Sequence, residues 1–146
     1  MRRAYVGAMM ACALAGALSW SSAPPSRAES SPESIVRFPD DVVYHGLPGA
    51  PQHVTLIGDP SKPGLYVDRI KFAAGTKVMP HWHPDADEWQ YFIKGSATMT
   101  IFNTGPAAQT VNFNPGDVGY VEKNLGHYIK NTGTTDLVFL ELFKSD

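Results

Sequence analysis

The sequence predicts an all-β sandwich or barrel. Short apolar stretches recur at regular spacing along most of the chain, and clusters of Gly, Pro, Asn and Asp separate them. No stretch beyond the N-terminal region sustains the 3.6-residue apolar period of an amphipathic helix, whereas several alternate with period two. There is no internal repeat and no low-complexity tract after the N-terminal region.

Taken in order, strands are expected at 42–44, 53–57, 65–72, 78–83, 88–93, 98–102, 109–113, 118–121, 127–130 and 137–143. The breaks carry turn chemistry: Asp59-Pro60, Lys62-Pro63-Gly64, Ala74-Gly75, Lys94-Gly95, Asn103-Thr104-Gly105, Pro115-Gly116-Asp117 and Asn131-Thr132-Gly133. Pro115-Gly116 suits the central pair of a type II turn. Alternation assigns faces. Glu88, Gln90 and Phe92 share one, and Trp89, Tyr91 and Ile93 the other. Met79, His81 and His83 are expected on a common face, as are Ala97, Met99 and Ile101. Trp82 and Trp89 then point away from the interior.

The first twenty-eight residues read as a cleavable secretory signal peptide, leaving 29–146 as one domain. Arg2-Arg3 gives a basic start, residues 4–20 carry no charge, and Ser26-Arg27-Ala28 offers small residues at a cleavage site. A membrane anchor is the weaker reading of this run, so no stable membrane span is expected after cleavage. The expected location is periplasmic or secreted. The one cysteine, Cys12, lies in the signal, which excludes a disulfide framework and thiol chemistry from the domain. Cleavage removes Arg2, Arg3 and Arg27 from 12 basic residues and leaves 14 acidic ones, a net charge of 9 − 14 = −5. With no basic patch, nucleic acid is not an expected partner.

The chemistry concentrates in His81-Trp82-His83-Pro84-Asp85-Ala86-Asp87-Glu88 and in the distant His127. Two His at i and i+2 on extended backbone face the same way. A carboxylate follows across a short turn, and a third imidazole arrives from another strand. Such a set suits a first-row divalent ion, with His81, His83, Glu88 and His127 as ligands. An isolated His-x-His in a strand would mean little; the joint spacing carries the argument. Gln90, Met79, Met99 and Phe92 are candidate pocket residues, Gln90 for contact with a bound water or substrate. His45 and His53 are expected at the surface, away from the motif.

The spacing Gly75, His81-x-His83, Glu88, Gly95, followed by Gly116, His127 and Asn131, resembles the two motifs of the cupin superfamily. Glu122 and Asn124 stand where that family usually has Pro and Gly. The resemblance implies a jelly-roll (double-stranded β-helix) barrel with a metal at its mouth. Two blocks, His81 to Tyr91 and Gly116 to Tyr128, together with Phe139 to Asp146, look like the second cupin domain of oxalate decarboxylases. Residues 58–64 leading to Gly75 look like small exported single-domain cupins. The resemblance carries metal-binding roles over to the same four residues, and implies manganese as the ion, with iron next.

Two departures bear on activity. Oxalate decarboxylases carry an arginine three residues before the first His, and Val78 stands there. Lys71 or Arg69 on the neighbouring strand are the available substitutes. The family also places a lid with a general-acid Glu after the final strand, about where Asp146 falls; Glu141 lies inside the expected strand and reads as structural. The expected ligand is a small molecule. The chemistry is either a decarboxylase- or oxidase-like reaction on a small carboxylic acid such as oxalate, or another cupin dioxygenase or isomerase reaction, or metal or ligand binding without turnover. Exposed Trp89 and Tyr91, and the habit of single-domain cupins, point to a homodimer.

Overall fold

The structure is a computed structural model and describes residues 36–145. The expected signal peptide and residues 29–35 lie outside the described residues. Eight strands follow a single 3-10 turn at Pro39–Asp41: β1 Gln52–Ile57, β2 Gly64–Phe72, β3 Glu88–Lys94, β4 Ala97–Phe102, β5 Ala108–Phe113, β6 Val118–Val121, β7 Gly126–Asn131 and β8 Leu137–Ser145. They form two antiparallel sheets, one ordered β1-β2-β8-β3-β6 and the other β5-β4-β7. Among the described residues no helix is long and apolar enough to cross a membrane.

The inner faces meet in a core of Ile70, Phe72, Phe92, Ala97, Met99, Phe113, Val121, Ile129, Leu137 and Phe139. Phe92 stacks between Phe113 and Phe139, at centroid distances of 4.4 and 5.2 Å, within the range favoured by offset aromatic pairs. Alternation in β3 holds as expected: Glu88, Gln90 and Phe92 are buried, while Trp89, Tyr91 and Ile93 are exposed.

Turn chemistry fixes the register of these strands. Asp117 N–H bonds to the Asn114 carbonyl at 3.1 Å around Pro115-Gly116, and Gly116 has the positive φ (93°) that the second central position of a type II turn needs. Gly95, also at positive φ (85°), packs so closely on the chain entering β8 that a Cβ would lie 2.8 Å from the Asp136 carbonyl oxygen.

Two expected strands differ from the structure. Residues 42–44 form no strand; this region contributes only a bridge between His45 and His53. Residues 78–83 form no continuous strand either. Pairing with β7 runs from Lys77 opposite Lys130 to His81 opposite His127, four steps on one side against three on the other. The extra residue is a bulge beside Pro80, which has no N–H to give a ladder. The bulge inverts side-chain parity. Val78 therefore turns inward against the core, and Met79 turns out to 71% exposure. Met79 thus does not line the cavity that His81, Glu88 and His127 border, because strict alternation fails at the proline.

Candidate metal centre

The inward side chains of each strand change character along its length. On β3 Glu88 and Gln90 give way to Phe92; on β8 Phe143 and Glu141 lead to Phe139 and Leu137; on β7 His127 leads to Ile129 and Asn131. The polar ends meet at one mouth of the barrel, where the bulged segment delivers His81 and His83.

There the four expected ligands converge. One ligand atom from each of His81, His83, Glu88 and His127 lies within 4.8 Å of the others. Glu88 Oε2 stands 2.8 Å from His127 Nε2 and 3.2 Å from His83 Nε2, and Glu88 and His127 are each only 1% exposed. His81 Nδ1 is 3.0 Å from the Met79 carbonyl and His127 Nδ1 is 3.0 Å from the Leu125 carbonyl. A carbonyl only accepts, so each Nδ1 carries the hydrogen and each Nε2 presents a lone pair to the centre. His83 Nε2, His127 Nε2 and Glu88 Oε2 are buried without an aligned hydrogen-bond partner. Lone pairs that face one another in this way fit a cation between them. Three imidazole nitrogens and one carboxylate oxygen suit a first-row divalent ion and leave two positions of an octahedron free.

Electrostatics reinforce the fit. Burial opposes ionisation of Glu88, but contacts with His127, His83 and Gln90 outweigh it and hold its carboxyl well below the usual carboxylate range. Burial lowers the pKa of His81, which keeps that ring neutral and able to ligate. For His127 burial also acts downward, but the Glu88 carboxylate dominates and raises it. A metal entering the site therefore competes with a proton at His127.

The loops that carry the ligands are tied together. Lys123 N–H donates to Asp87 Oδ1 at 2.9 Å and Asn124 N–H to the His83 carbonyl at 2.8 Å. Asn124 adopts positive φ (68°), the conformation glycine usually supplies, and asparagine tolerates it better than most residues. Its substitution for the family glycine thus leaves the turn before His127 intact.

The remaining expected pocket residues divide. Gln90 lies beneath the ligands, its amide N–H donating to Glu88 Oε1 and its side chain covered by Gly119. Phe92 and Met99 are wholly buried in the apolar core and do not line the cavity; they point inward as expected but one layer too deep.

A cavity of about 260 Å³ adjoins the ligands. Ile70, Phe72, Val78 and Ile129 give it an apolar side, and Asp68 and Glu141 an acidic one. Arg69 and Lys71 do not replace the missing arginine. Alternation along β2 puts them on the opposite face from Asp68 and Ile70, and the Lys71 ammonium lies over the Tyr44 ring at 4.4 Å. His53 is exposed as expected, yet it borders the cavity rather than standing apart from it. Glu141, expected to be structural, also lines the cavity. Burial, then the charges of Glu88 and Asp68, raise its pKa well above the ordinary value. The sequence held a signal for both acids: each interrupts the apolar inward face of its strand, Asp68 between Tyr66 and Ile70, Glu141 between Phe139 and Phe143.

Comparison with known proteins agrees with this site. Oxalate decarboxylase of Bacillus subtilis (strain 168) is 54% identical over 66 residues, 45% of this chain and 17% of that protein. The chain thus spans less than a fifth of the length of the curated oxalate decarboxylases it matches. The solved Lactobacillus farciminis oxalate decarboxylase formate complex superposes with a TM-score of 0.62 at 30% identity, covering 82% of this chain and 37% of that one. KdgF from a Halomonas species superposes at 0.63 over 75% of this chain and 93% of its own, with 20% identity, a likeness of fold alone. The Cupin family model matches residues 60–146, a span that holds all four converging ligands and seven of the eight strands, and on that match the chain belongs to the cupin family.

Proposed function

We propose that this protein is an exported, metal-dependent enzyme acting on a small carboxylic acid, with decarboxylase- or oxidase-like chemistry of which oxalate is the first substrate to test. The observation that carries the reading is the convergence of His81, His83, Glu88 and His127 at the edge of a small cavity. Identity of 54% to an oxalate decarboxylase over 66 residues supports it. Manganese is the proposed ion and iron the next. Such an ion, when bound, supplies Lewis acidity and one-electron redox chemistry. The chain's own residues hold and orient: Nδ1–H contacts fix the His81 and His127 imidazoles, Gln90 fixes Glu88, and the apolar wall excludes water from one side of the substrate. Residues 1–28 support export. The exposed Trp89 and Tyr91 on the outer face of β3 support a homodimer.

A second reading, a metal-binding protein without turnover or a cupin with a different substrate, draws on the cavity wall. Val78 lies where the decarboxylases carry arginine, and no lysine or arginine lines the cavity among the described residues.

The test is carbon NMR of labelled oxalate incubated in air with manganese-loaded protein. Formate is the outcome expected for a decarboxylase, and carbon dioxide without formate for an oxidase. No consumption of oxalate would restrict the likeness to scaffold and metal site.

A further inference from the structure

Gln90 is buried and is not among the residues that line the cavity, so it is not placed to touch a substrate. Its contact is with a ligand. The two oxygens of Glu88 have different company: Oε2 faces His127 Nε2 and His83 Nε2 at 2.8 and 3.2 Å, whereas Oε1 accepts the Gln90 amide N–H. A carboxylate can hold a cation through one oxygen or through both. An oxygen committed to an N–H donor is withheld from the ion. The far side of the amide shows what keeps the donor in place. Gly119 is buried and stands directly opposite Gln90 in the β3–β6 ladder. A Cβ there would lie 2.7 Å from Gln90 Oε1, while its next neighbours, Gln90 Cβ and Phe113 Cε1, would be in ordinary contact at 3.4 Å. Gly119 is not at positive φ, so its backbone does not require glycine; the room taken by Gln90 Oε1 does. Glu141, opposite Gln90 in the β3–β8 ladder, also approaches Glu88.

We propose that Gln90, seated against Gly119, is a positioning residue that keeps Glu88 a one-oxygen ligand and so holds two positions of the ion open. The inference rests on the reading above that His81, His83, Glu88 and His127 hold a divalent metal. Three imidazole nitrogens and one carboxylate oxygen leave two positions of an octahedron. With Oε1 released, Glu88 can take one of them. A small acid that binds through two oxygens needs both. Gly119 and Gln90 thus set how many atoms of a substrate the ion can accept, without touching the substrate themselves. Partners of metal ligands act in this way, by fixing the orientation of the group that binds.

The test counts water on the manganese-loaded protein by electron paramagnetic resonance in water enriched in oxygen-17. Wild type is expected to carry two manganese-bound waters. Gln90→Ala frees Oε1 and is expected to carry one. Gly119→Ala, whose methyl displaces the amide, is expected to do the same. Manganese affinity should fall about ten- to a hundredfold in each variant, so the ion is supplied in enough excess to fill the site. Gly119→Ala added to Gln90→Ala is expected to change neither the count nor the affinity further, because the oxygen it would meet is gone. Gln90→Leu, which also fills the vacated space, serves if Gln90→Ala folds poorly. Two waters in the Gln90 variants would overturn the proposal and leave the metal reading intact. One water in Gln90→Ala with two in Gly119→Ala, or a further loss of affinity in the double variant, would overturn the seating by Gly119. Wild type that takes up no manganese would overturn both the proposal and the reading on which it rests.

Discussion

The two ends of the barrel are built from the same strands and to opposite purposes. At the closed end, Phe92, Phe113, Phe139 and Leu137 pack with no polar group among them save Asn131. Asn131 is fully satisfied: its two Nδ2 hydrogens are shared among the carbonyls of Phe72, Ala73 and Thr135 at 3.1, 3.1 and 2.8 Å, and its Oδ1 accepts from Gly133 N–H at 2.9 Å. At the mouth, buried polar atoms of Asp68, His83, Glu88, Gln90 and His127 lack partners, and three carboxylates share one cavity. A closed end without unmet polar groups stabilises the fold. A mouth that gathers unmet ones costs stability unless a ligand completes it. Their separation along each strand lets one half support the other.

The comparison breaks most sharply on the metal. His127→Ala is expected to abolish stoichiometric binding of manganese. With the ion at a hundred times its dissociation constant, wild type gains about 2.7 kcal/mol, seen as a rise in Tm that the variant should lack. A variant that still gains stability with the metal would show that these four residues do not form the site.

The closed end answers in a different way. Phe139→Ala empties the centre of an aromatic stack and should cost about 3–5 kcal/mol in chemical denaturation. The increment in Tm on adding metal should survive, because Phe139 touches no ligand in the stacks it makes. If metal uptake is lost with Phe139, the two ends are not separable. Asn131→Ala is the milder probe of the same region. It strands several buried backbone groups, each worth about 1–3 kcal/mol when unsatisfied. We expect a loss of about 2 kcal/mol with metal affinity unchanged.

How much of this was legible in the sequence follows the same division. Seven residues between Glu88 and Lys94 suffice to assign faces, because regular β3 obeys alternation. The four ligands could be named because their spacing carries the motif. The reading failed where the backbone departs from regularity: Pro80 forces a bulge that no alternation rule anticipates, and Met79 and Val78 exchanged sides. It failed again on depth. Period two says that Phe92 and Met99 point inward, but only the tilt and register of the two sheets decide which layer they enter. The acids were a different error. Asp68 and Glu141 sat on apolar faces in plain view, and Glu141 was read as part of a strand rather than as an interruption of its inner face.

Glu141 also gives the smallest and most discriminating test of the contrast between the ends. Its folded pKa is raised by burial and by the neighbouring charges of Glu88 and Asp68. The sign follows from linkage. Below the ordinary value of 4.5 both folded and unfolded chains carry the proton, and no penalty arises. As pH rises above it, the unfolded chain ionises freely while the folded one retains its proton, so metal-free wild type loses stability up to the folded pKa. Glutamine has no such proton. Glu141→Gln should therefore match wild type near pH 4 and be the more stable of the two at pH 7–8. Thermal melts of both metal-free proteins across that range measure it directly. A variant less stable than wild type at pH 7 would mean that Glu141 braces β8 as the phenylalanines do, and that the mouth does not carry the stability cost argued for it.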